Sequence, residues 1–192
     1  LSRGESVYTQ SGGMSWMTEG VQMESNLKGG FGKAFGRMFS GESLFMATFT
    51  ATRDVDEVTF AAAMPGKILK FDIRPNYEII AQKGAFLCAE HGVQLSTYFN
   101  RGVKGGLFGG EGFILQKYSG SGSVFCEIDG SVETIDLAPG ELLRVDTGNI
   151  AAFETSVQYS AEMVKGFKNI LFGGEGLFLS TLRGPGRVWL QT

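Results

Sequence analysis

Phe39-Ser-Gly-Glu-Ser-Leu-Phe45, Phe108-Gly-Gly-Glu-Gly-Phe-Ile114 and Phe172-Gly-Gly-Glu-Gly-Leu-Phe178 are three versions of one heptapeptide. The second version starts 69 residues after the first, and the third starts 64 residues after the second. Each reads as an aromatic residue, two small residues, a glutamate, one more small residue and two large apolar residues. Because a recurring spacing of this length indicates a repeated structural unit, the heptapeptide predicts a repeat architecture.

A glycine turn that precedes a strand is the second marker of the repeat. It occurs in Gly4-Glu-Ser-Val7, Pro65-Gly-Lys-Ile-Leu69 and Pro139-Gly-Glu-Leu-Leu143. A chain of 192 residues is long enough to bury roughly 70% of its unfolded surface in one core. We therefore predict a single compact domain over 1–192, built of three tandem modules at approximately 4–64, 65–138 and 139–192.

Short segments rich in β-branched and aromatic residues predict strands through most of the chain. Lys67-Ile-Leu-Lys-Phe-Asp-Ile73 and Ser123-Val-Phe-Cys-Glu-Ile128 are typical of them. Turn signals, including Asp129-Gly130 and Gly120-Ser-Gly122, separate the strands roughly every 8–12 residues, as in sandwiches and barrels. The expected fold is therefore all-β. Three modules that cannot each close a sheet are expected to pack around a pseudo-threefold axis.

Composition and charge narrow the classes of function. The net charge of −3 and the pI near 5.3 give the chain no general attraction for nucleic acid or anionic lipid. The sequence has no run of about 18 apolar residues and no signal segment at its start. The expected location is therefore the cytoplasm, with association to a membrane surface left open. Cys88 and Cys126 lie in apolar strand contexts, which favours two buried thiols over a disulfide.

One stretch departs from the strand pattern. Between Leu27 and Phe39, the spacing of Phe31, Phe35 and Met38 places these apolar residues on one face of a short helix. The four glycines in this stretch weaken the helix by about 1 kcal/mol each, so it would form only when docked. Two interpretations stay open: a basic and aromatic segment that binds a membrane surface or partner protein, or a loop that covers the open end of the β structure.

Similar segments precede the second and third heptapeptides. Lys104-Gly-Gly-Leu-Phe108 and Lys165-Gly-Phe-Lys-Asn-Ile-Leu-Phe172 also combine lysine with apolar residues. The same kind of binding is therefore expected three times. The candidate residues for binding a partner or a membrane are Phe31, Phe35, Phe39, Lys33, Arg37, Lys104 and Lys168.

Three motifs carry a resemblance to a known family: Ser6-Val-Tyr-Thr-Gln-Ser-Gly-Gly-Met-Ser-Trp-Met17, the Gly-Gly-Phe-Gly-Lys-Ala-Phe-Gly-Arg stretch at 29–37, and the two Phe-Gly-Gly-Glu-Gly copies. Over essentially its whole length the chain resembles the uncharacterised bacterial and archaeal family related to the altered-inheritance-of-mitochondria (mitochondrial biogenesis) proteins. The resemblance implies a fold similar to the tryptophan RNA-binding attenuation protein, with three β-sandwich units of double-stranded β-helix type. It implies no established enzyme activity. It does imply a role near membranes, and it implies further chain before Gly4 and after Thr192.

The equivalent glutamates Glu42, Glu111 and Glu175 allow two interpretations. Around a threefold axis they would occupy equivalent positions, and carboxylates that faced the axis could hold a hard cation such as calcium or magnesium. A carboxylate-based, cation-dependent enzyme is therefore an alternative function. The favoured interpretation is that each glutamate accepts hydrogen bonds from the N–H groups of its glycine loop and fixes a hairpin, so no metal site is predicted.

Other chemistries find little support in the sequence. His91 is the only histidine, so the multi-histidine metal sites of cupin-type enzymes and zinc sites cannot be assembled. Gly173-Gly-Glu-Gly176 leads into a strand and carries an acid where a phosphate would sit, which argues against phosphate binding. RNA binding, a second alternative, rests on fold analogy alone, because the basic residues are dispersed.

These observations together predict a non-enzymatic binding or scaffold protein with no catalytic residue and no cofactor. It would act through its glycine-rich loops on a partner protein or a membrane surface rather than on nucleic acid. Self-association as a homo-oligomer stays open.

Overall fold

The computed structural model describes residues 1–10, 13–25, 46–98, 114–163 and 178–192. Within these ranges the chain forms strands and two short 3-10 helices, Lys83–Ala85 and Thr147–Asn149, and no α-helix. The all-β prediction is confirmed. The strands are β1 (Ser6–Gln10), β2 (Met14–Met17), β3 (Val21–Ser25), β4 (Met46–Ala51), β5 (Val58–Phe60), β6 (Gly66–Ile73), β7 (Ile79–Gln82), β8 (Phe86–Glu90), β9 (Val93–Thr97), β10 (Leu115–Gly120), β11 (Gly122–Asp129), β12 (Val132–Leu137), β13 (Leu142–Asp146), β14 (Ile150–Glu154), β15 (Gln158–Met163), β16 (Phe178–Arg183) and β17 (Gly186–Gln191).

Residue alternation explains most of these strands. In β11, Val124, Cys126 and Ile128 are at most 1% exposed, whereas Phe125 and Glu127 between them are only partly buried. Successive side chains of a strand point to opposite faces, so this period of two selects extended backbone. The prediction overlooked β2, β3, β8 and β16. In β8 four consecutive residues are buried, so both faces are covered and no alternation is visible.

The described strands form four sheets, and every pairing between them is antiparallel. One six-stranded sheet has the order β3-β4-β1-β8-β11-β6, and the other has the order β9-β10-β7-β14-β17-β12. A three-stranded sheet has the order β13-β16-β15, and β2 pairs with β5. Each six-stranded sheet therefore joins two groups of three strands, and we call the central pairings, β1 with β8 and β7 with β14, the two junctions.

One spacing of residues occurs at three places in the described chain. A polar residue ends β1, β7 and β13, and a buried valine follows it eleven residues later in each case: Gln10 and Val21, Gln82 and Val93, Asp146 and Val157. A hydrogen bond recurs as well, since a side-chain oxygen accepts from a backbone N–H at 3.1, 3.0 and 3.0 Å in the pairs Thr18 and Glu57, Glu90 and Ser123, Glu154 and Arg187. The shared rotation axis, the module boundaries and the double-stranded β-helix description stay predictions.

Two of the three glycines predicted to form a turn before a strand do so, and the third does not. Gly4 and Gly140, with φ of 83° and 80°, each lie two residues before the first residue of a strand, β1 or β13. Gly66, by contrast, is the first residue of β6, and the comparable turn before β7 holds Asn76 with φ of 70°. Asparagine is the residue after glycine that best tolerates the left-handed region, so a search for glycine alone passes over it.

Among the residues that the structure describes, three hydrophobic clusters hold the sheets together. The largest lies between the two six-stranded sheets and includes Phe71 and Trp189, whose ring centroids are 4.8 Å apart in an edge-to-face contact. A second cluster, including Phe153 and Leu182, joins the second six-stranded sheet to the three-stranded sheet. A third cluster around Phe49 joins the first six-stranded sheet to the β2–β5 pair. Every sheet therefore shares a core with another.

Candidate functional site: three hairpin connections

The predicted site residues lie in three connections, 26–45, 99–113 and 164–177, which are outside the described residues. The same holds for the helix predicted between Leu27 and Phe39. The residues concerned are Phe31, Lys33, Phe35, Arg37, Phe39 and Glu42 in the first connection, Lys104 and Glu111 in the second, and Lys168 and Glu175 in the third.

The structure shows how these connections attach to the β structure. Each one joins two adjacent antiparallel strands, and we call the pairs β3–β4, β9–β10 and β15–β16 the hairpin stems. Backbone pairing continues to the end of each stem, with Ser25 opposite Ala47, Thr97 opposite Gln116 and Met163 opposite Phe178. The two ends of every connection are therefore held together by β pairing.

Each stem is fixed by a large buried side chain in its second strand. Phe49, Tyr118 and Leu182 are at most 1% exposed. They occupy corresponding places, opposite Met23, Leu95 and Tyr159 of the preceding strands. Burial of an apolar side chain of this size contributes about 1.5–3 kcal/mol, so the stems are firm supports for the segments they carry.

A pocket of about 220 Å³ lies where β11 and β17 end beside the first 3-10 helix. Glu127 accepts a hydrogen bond from the Ala63 backbone N–H at 2.6 Å, and Gln191 donates to the Gly148 carbonyl at 2.9 Å. Glu127 and Gln191 are thus engaged within the protein, and none of the buried, unpartnered side-chain atoms of the described residues belongs to the residues that line this pocket. Its lining residues are Ala63, Met64, Gln82, Gly84, Ala85, Glu127, Asp129 and Gln191.

The single histidine lies at a turn. His91 is exposed between β8 and β9, and its backbone N–H donates to the Ser6 carbonyl at 3.3 Å. Within the described ranges, no group of three or more His, Cys, Asp and Glu side chains is placed to hold a metal ion.

Two buried phenols, Tyr8 and Tyr118, and the thiol of Cys126 lie in the largest hydrophobic cluster. Tyr8 donates a hydrogen bond to the Val93 carbonyl at 2.8 Å, and Tyr118 faces the thiol of Cys126, a weak hydrogen-bonding group. Burial raises the pKa of Tyr8 and of Tyr118, and it raises the pKa of Cys88 and of Cys126 to about 12. Both cysteines are free. These groups are neutral at physiological pH, and they form part of the core rather than a reactive site.

Asp56 is a buried carboxylate that the sequence reading overlooked. It is 3% exposed and accepts hydrogen bonds from the Thr18 hydroxyl at 2.7 Å and from the backbone N–H groups of Arg53 and Thr52 at 2.9 and 3.2 Å. The N-terminal amine of Leu1 donates to its backbone carbonyl at 2.7 Å. Burial by itself raises the pKa of Asp56, but the hydrogen bonds outweigh it and hold the pKa below its ordinary value. Asp56 therefore ties the loop after β4 to the turn before β3.

Replacing this carboxylate gives a pH-dependent prediction. Because its pKa is lowered on folding, Asp56 contributes stability that is present above the unfolded pKa of about 3.9 and is lost as the pH falls through the folded value. We expect Asp56→Asn to lower the free energy of unfolding at pH 7, and the difference from the unmodified chain to shrink below about pH 4. Urea unfolding of the variant and of the unmodified chain, at pH 7 and below about pH 4, measures this difference in the free energy of unfolding. A difference independent of pH would show that the charge of Asp56 is not the stabilising feature.

The sheets and their connections define the class of protein. It is an all-β protein of packed antiparallel sheets whose basic and aromatic candidate residues occupy three connections between paired strands. In the part of the chain that the structure describes, no helix is long and apolar enough to cross a membrane.

The chain belongs to the AIM24 mitochondrial biogenesis family, whose model matches residues 1–192. This confirms the resemblance inferred from the motifs. An uncharacterised protein of Streptococcus pyogenes serotype M6 is 30% identical over 201 residues, which cover 100% of this chain and 79% of that protein. The crystal structure of another Streptococcus pyogenes protein is similar, with a TM-score of 0.78 and 28% identity, covering 100% of this chain and 85% of the other. The likeness to the tryptophan RNA-binding attenuation protein stays a prediction.

Proposed function

We propose that the chain is a non-enzymatic binding or scaffold protein that uses its three hairpin connections to hold an anionic surface. The first candidate for this surface is a lipid bilayer, and the second is an acidic partner protein. The β structure would serve as the support that presents the three connections together.

The observation that carries the proposal is the separation of charge along the chain. The three connections contain seven of the 17 Lys and Arg residues but only three of the 20 Asp and Glu residues. Their formal charge is therefore +4, whereas the remaining residues have a formal charge of −7. Basic residues next to an anionic lipid surface contribute about 1 kcal/mol each, so the connections are the part of the chain that such a surface would attract.

The apolar content of the connections supports the same proposal. They contain nine of the 16 phenylalanines and 15 of the 29 glycines of the chain. Phenylalanine beside lysine and arginine is typical of segments that lie in the interface of a membrane. Aromatic residues are also enriched in protein–protein interfaces, which is why an acidic partner protein is the second candidate.

Removing one lysine from each connection tests the proposal. We expect the full chain to sediment with vesicles of phosphatidylcholine and phosphatidylserine, and less with phosphatidylcholine alone. The triple variant Lys33→Gln, Lys104→Gln, Lys168→Gln is expected to bind roughly 100-fold more weakly, because three charges at about 1 kcal/mol each are lost. Binding should also weaken as salt is added.

The matched control removes the same number of positive charges from the β structure instead of from the connections. The variant Lys67→Gln, Arg74→Gln, Arg183→Gln removes three exposed basic residues of the β structure and is expected to bind like the unmodified chain. Phe31→Ser, Phe35→Ser, Phe39→Ser is expected to weaken binding without lowering the unfolding temperature. Equal loss in both charge variants, or no preference for phosphatidylserine, would contradict the proposal for a bilayer.

A further inference from the structure

The first hairpin stem ends where β8 begins. Met46, the first residue of β4, lies opposite Gln10, the last residue of β1. Thr9 lies opposite Cys88, so the end of β1 meets the beginning of β8. The first 3-10 helix, Lys83–Ala85, leads directly from the end of β7 to the beginning of β8. The end of β7 therefore lies at the same side of the β structure as the end of the first stem.

The second stem ends at this side as well. Gln82, the last residue of β7, lies opposite Leu115, the first residue of β10. The backbone N–H of Lys83, in the first 3-10 helix, donates a hydrogen bond to the Ile114 carbonyl at 2.7 Å. The first 3-10 helix therefore lies between the end of the first stem and the end of the second.

The second 3-10 helix, Thr147–Asn149, places the third stem in the same way. It leads directly from the end of β13 to the beginning of β14. Asp146, the last residue of β13, lies opposite Leu179 in the third stem. Ala152 lies opposite Ala81, so the beginning of β14 lies beside the end of β7. All three stems therefore end at one side of the molecule, which we call the stem face.

The ends of neighbouring stems are close to one another. The path between them consists of about three strand spacings and about five residues of chain, so the ends are at most about 35 Å apart. The exposed residues Ser25, Ile114 and Asn149 lie beside the first, second and third stem, respectively. β4 and β14 run away from the stem face, so Val55 and Ser156, exposed residues that follow these strands, lie at the opposite side.

We propose that the stem face is the side of the protein that binds an anionic bilayer, with all three connections in contact with the same bilayer. This orientation depends on the proposed function, because the connections supply the positive charge. The described part of the stem face carries an exposed carboxylate, Asp146, so its attraction for an anionic surface comes from the connections, whose formal charge is +4.

Charge and geometry favour this orientation. The residues outside the connections have a formal charge of −7, and most of that charge stays away from the bilayer when the stem face points towards it. Once one connection has bound, binding of the other two is intramolecular, which strengthens the whole without any new contact. A bilayer is continuous over a distance far greater than the spacing of the stems, so the three connections reach it together.

Site-specific fluorescent labels test the orientation. The single variants Ser25→Cys, Ile114→Cys and Asn149→Cys are each labelled with the fluorophore NBD, and vesicles of phosphatidylcholine and phosphatidylserine are added. We expect a blue shift and a rise in emission from all three positions, because the label leaves water for the bilayer interface. Val55→Cys and Ser156→Cys, at the opposite side, are the controls and should show neither. The buried Cys88 and Cys126 are not expected to take up the label.

Added negative charge gives a second measurement. The variant Ser25→Glu, Asn149→Glu is expected to bind these vesicles roughly 30-fold more weakly, because it brings two carboxylates next to an anionic surface. Val55→Glu, Ser156→Glu makes the same change of charge at the opposite side and should bind like the unmodified chain. Circular dichroism should show that both variants fold.

The outcomes separate this orientation from the proposed function. No sedimentation of the unmodified chain with the vesicles would overturn both. Sedimentation with a response from only one of the three stem positions, or from none, would overturn the orientation alone. A response from both sides of the molecule, or equal loss of binding in the two glutamate variants, would overturn it as well.

Discussion

Neither Cys88 nor Cys126 is expected to react with a thiol reagent while the protein is folded. Burial raises the pKa of both thiols from the ordinary value of 9.0 to about 12, and the thiolate is the form that reacts. At a pH below both values, the folded protein therefore contains roughly 1,000-fold less thiolate than a solvent-exposed cysteine would. Exclusion of the reagent from the core slows the reaction further.

Ellman's reagent at pH 8 measures this protection. We expect no labelling of the native chain during the time in which an exposed cysteine reacts fully, and two thiols per chain in guanidinium chloride. The variant Val55→Cys supplies the exposed reference, since Val55 is 88% exposed. Labelling of a native cysteine at the rate of that reference would contradict the prediction, and fewer than two thiols in the unfolded chain would indicate a disulfide.

Phe153→Ala is expected to lower the free energy of unfolding by about 3–5 kcal/mol. Phe153 is 0% exposed, stacks on Tyr159 with ring centroids 5.6 Å apart, and meets Tyr98 edge-on at 6.4 Å. It also lies opposite Ile80 in the second junction, so the substitution leaves a cavity where the second cluster reaches the centre of a six-stranded sheet.

Urea unfolding followed by circular dichroism measures this loss. Val55→Ala is the matched control and should change the free energy of unfolding by no more than about 0.5 kcal/mol, since the side chain is almost fully exposed. A loss below about 1 kcal/mol for Phe153→Ala would mean that the structure relaxes around the missing ring, contrary to the close packing seen in the second cluster.

The strand character of the chain could be predicted because a half-buried strand requires alternating apolar and polar residues, and this alternation is visible in the sequence. Val124, Cys126 and Ile128 alternate with less buried neighbours, and the period of two was recognised there. β8 was overlooked because both of its faces are covered, and its run of apolar residues has no period. The turn before β7 was overlooked because asparagine replaces glycine at Asn76.

The polar contacts between distant parts of the chain were harder to predict, because the groups that meet are far apart in sequence. Thr18 and Asp56 are 38 residues apart, and no local pattern indicates that the hydroxyl meets the carboxylate. The composition of the three connections, by contrast, is visible in the sequence itself.

The way each six-stranded sheet is assembled has a consequence for the chain as it leaves the ribosome. Val7 lies opposite Glu90, and β11 extends to Asp129, so the first sheet lacks members until the chain has been made as far as Asp129. Contacts between such distant residues form slowly, and a nascent strand that waits for its neighbour exposes unsatisfied amide groups. The protein is therefore most prone to aggregation while it is being synthesised, and molecular chaperones would protect it most at that stage.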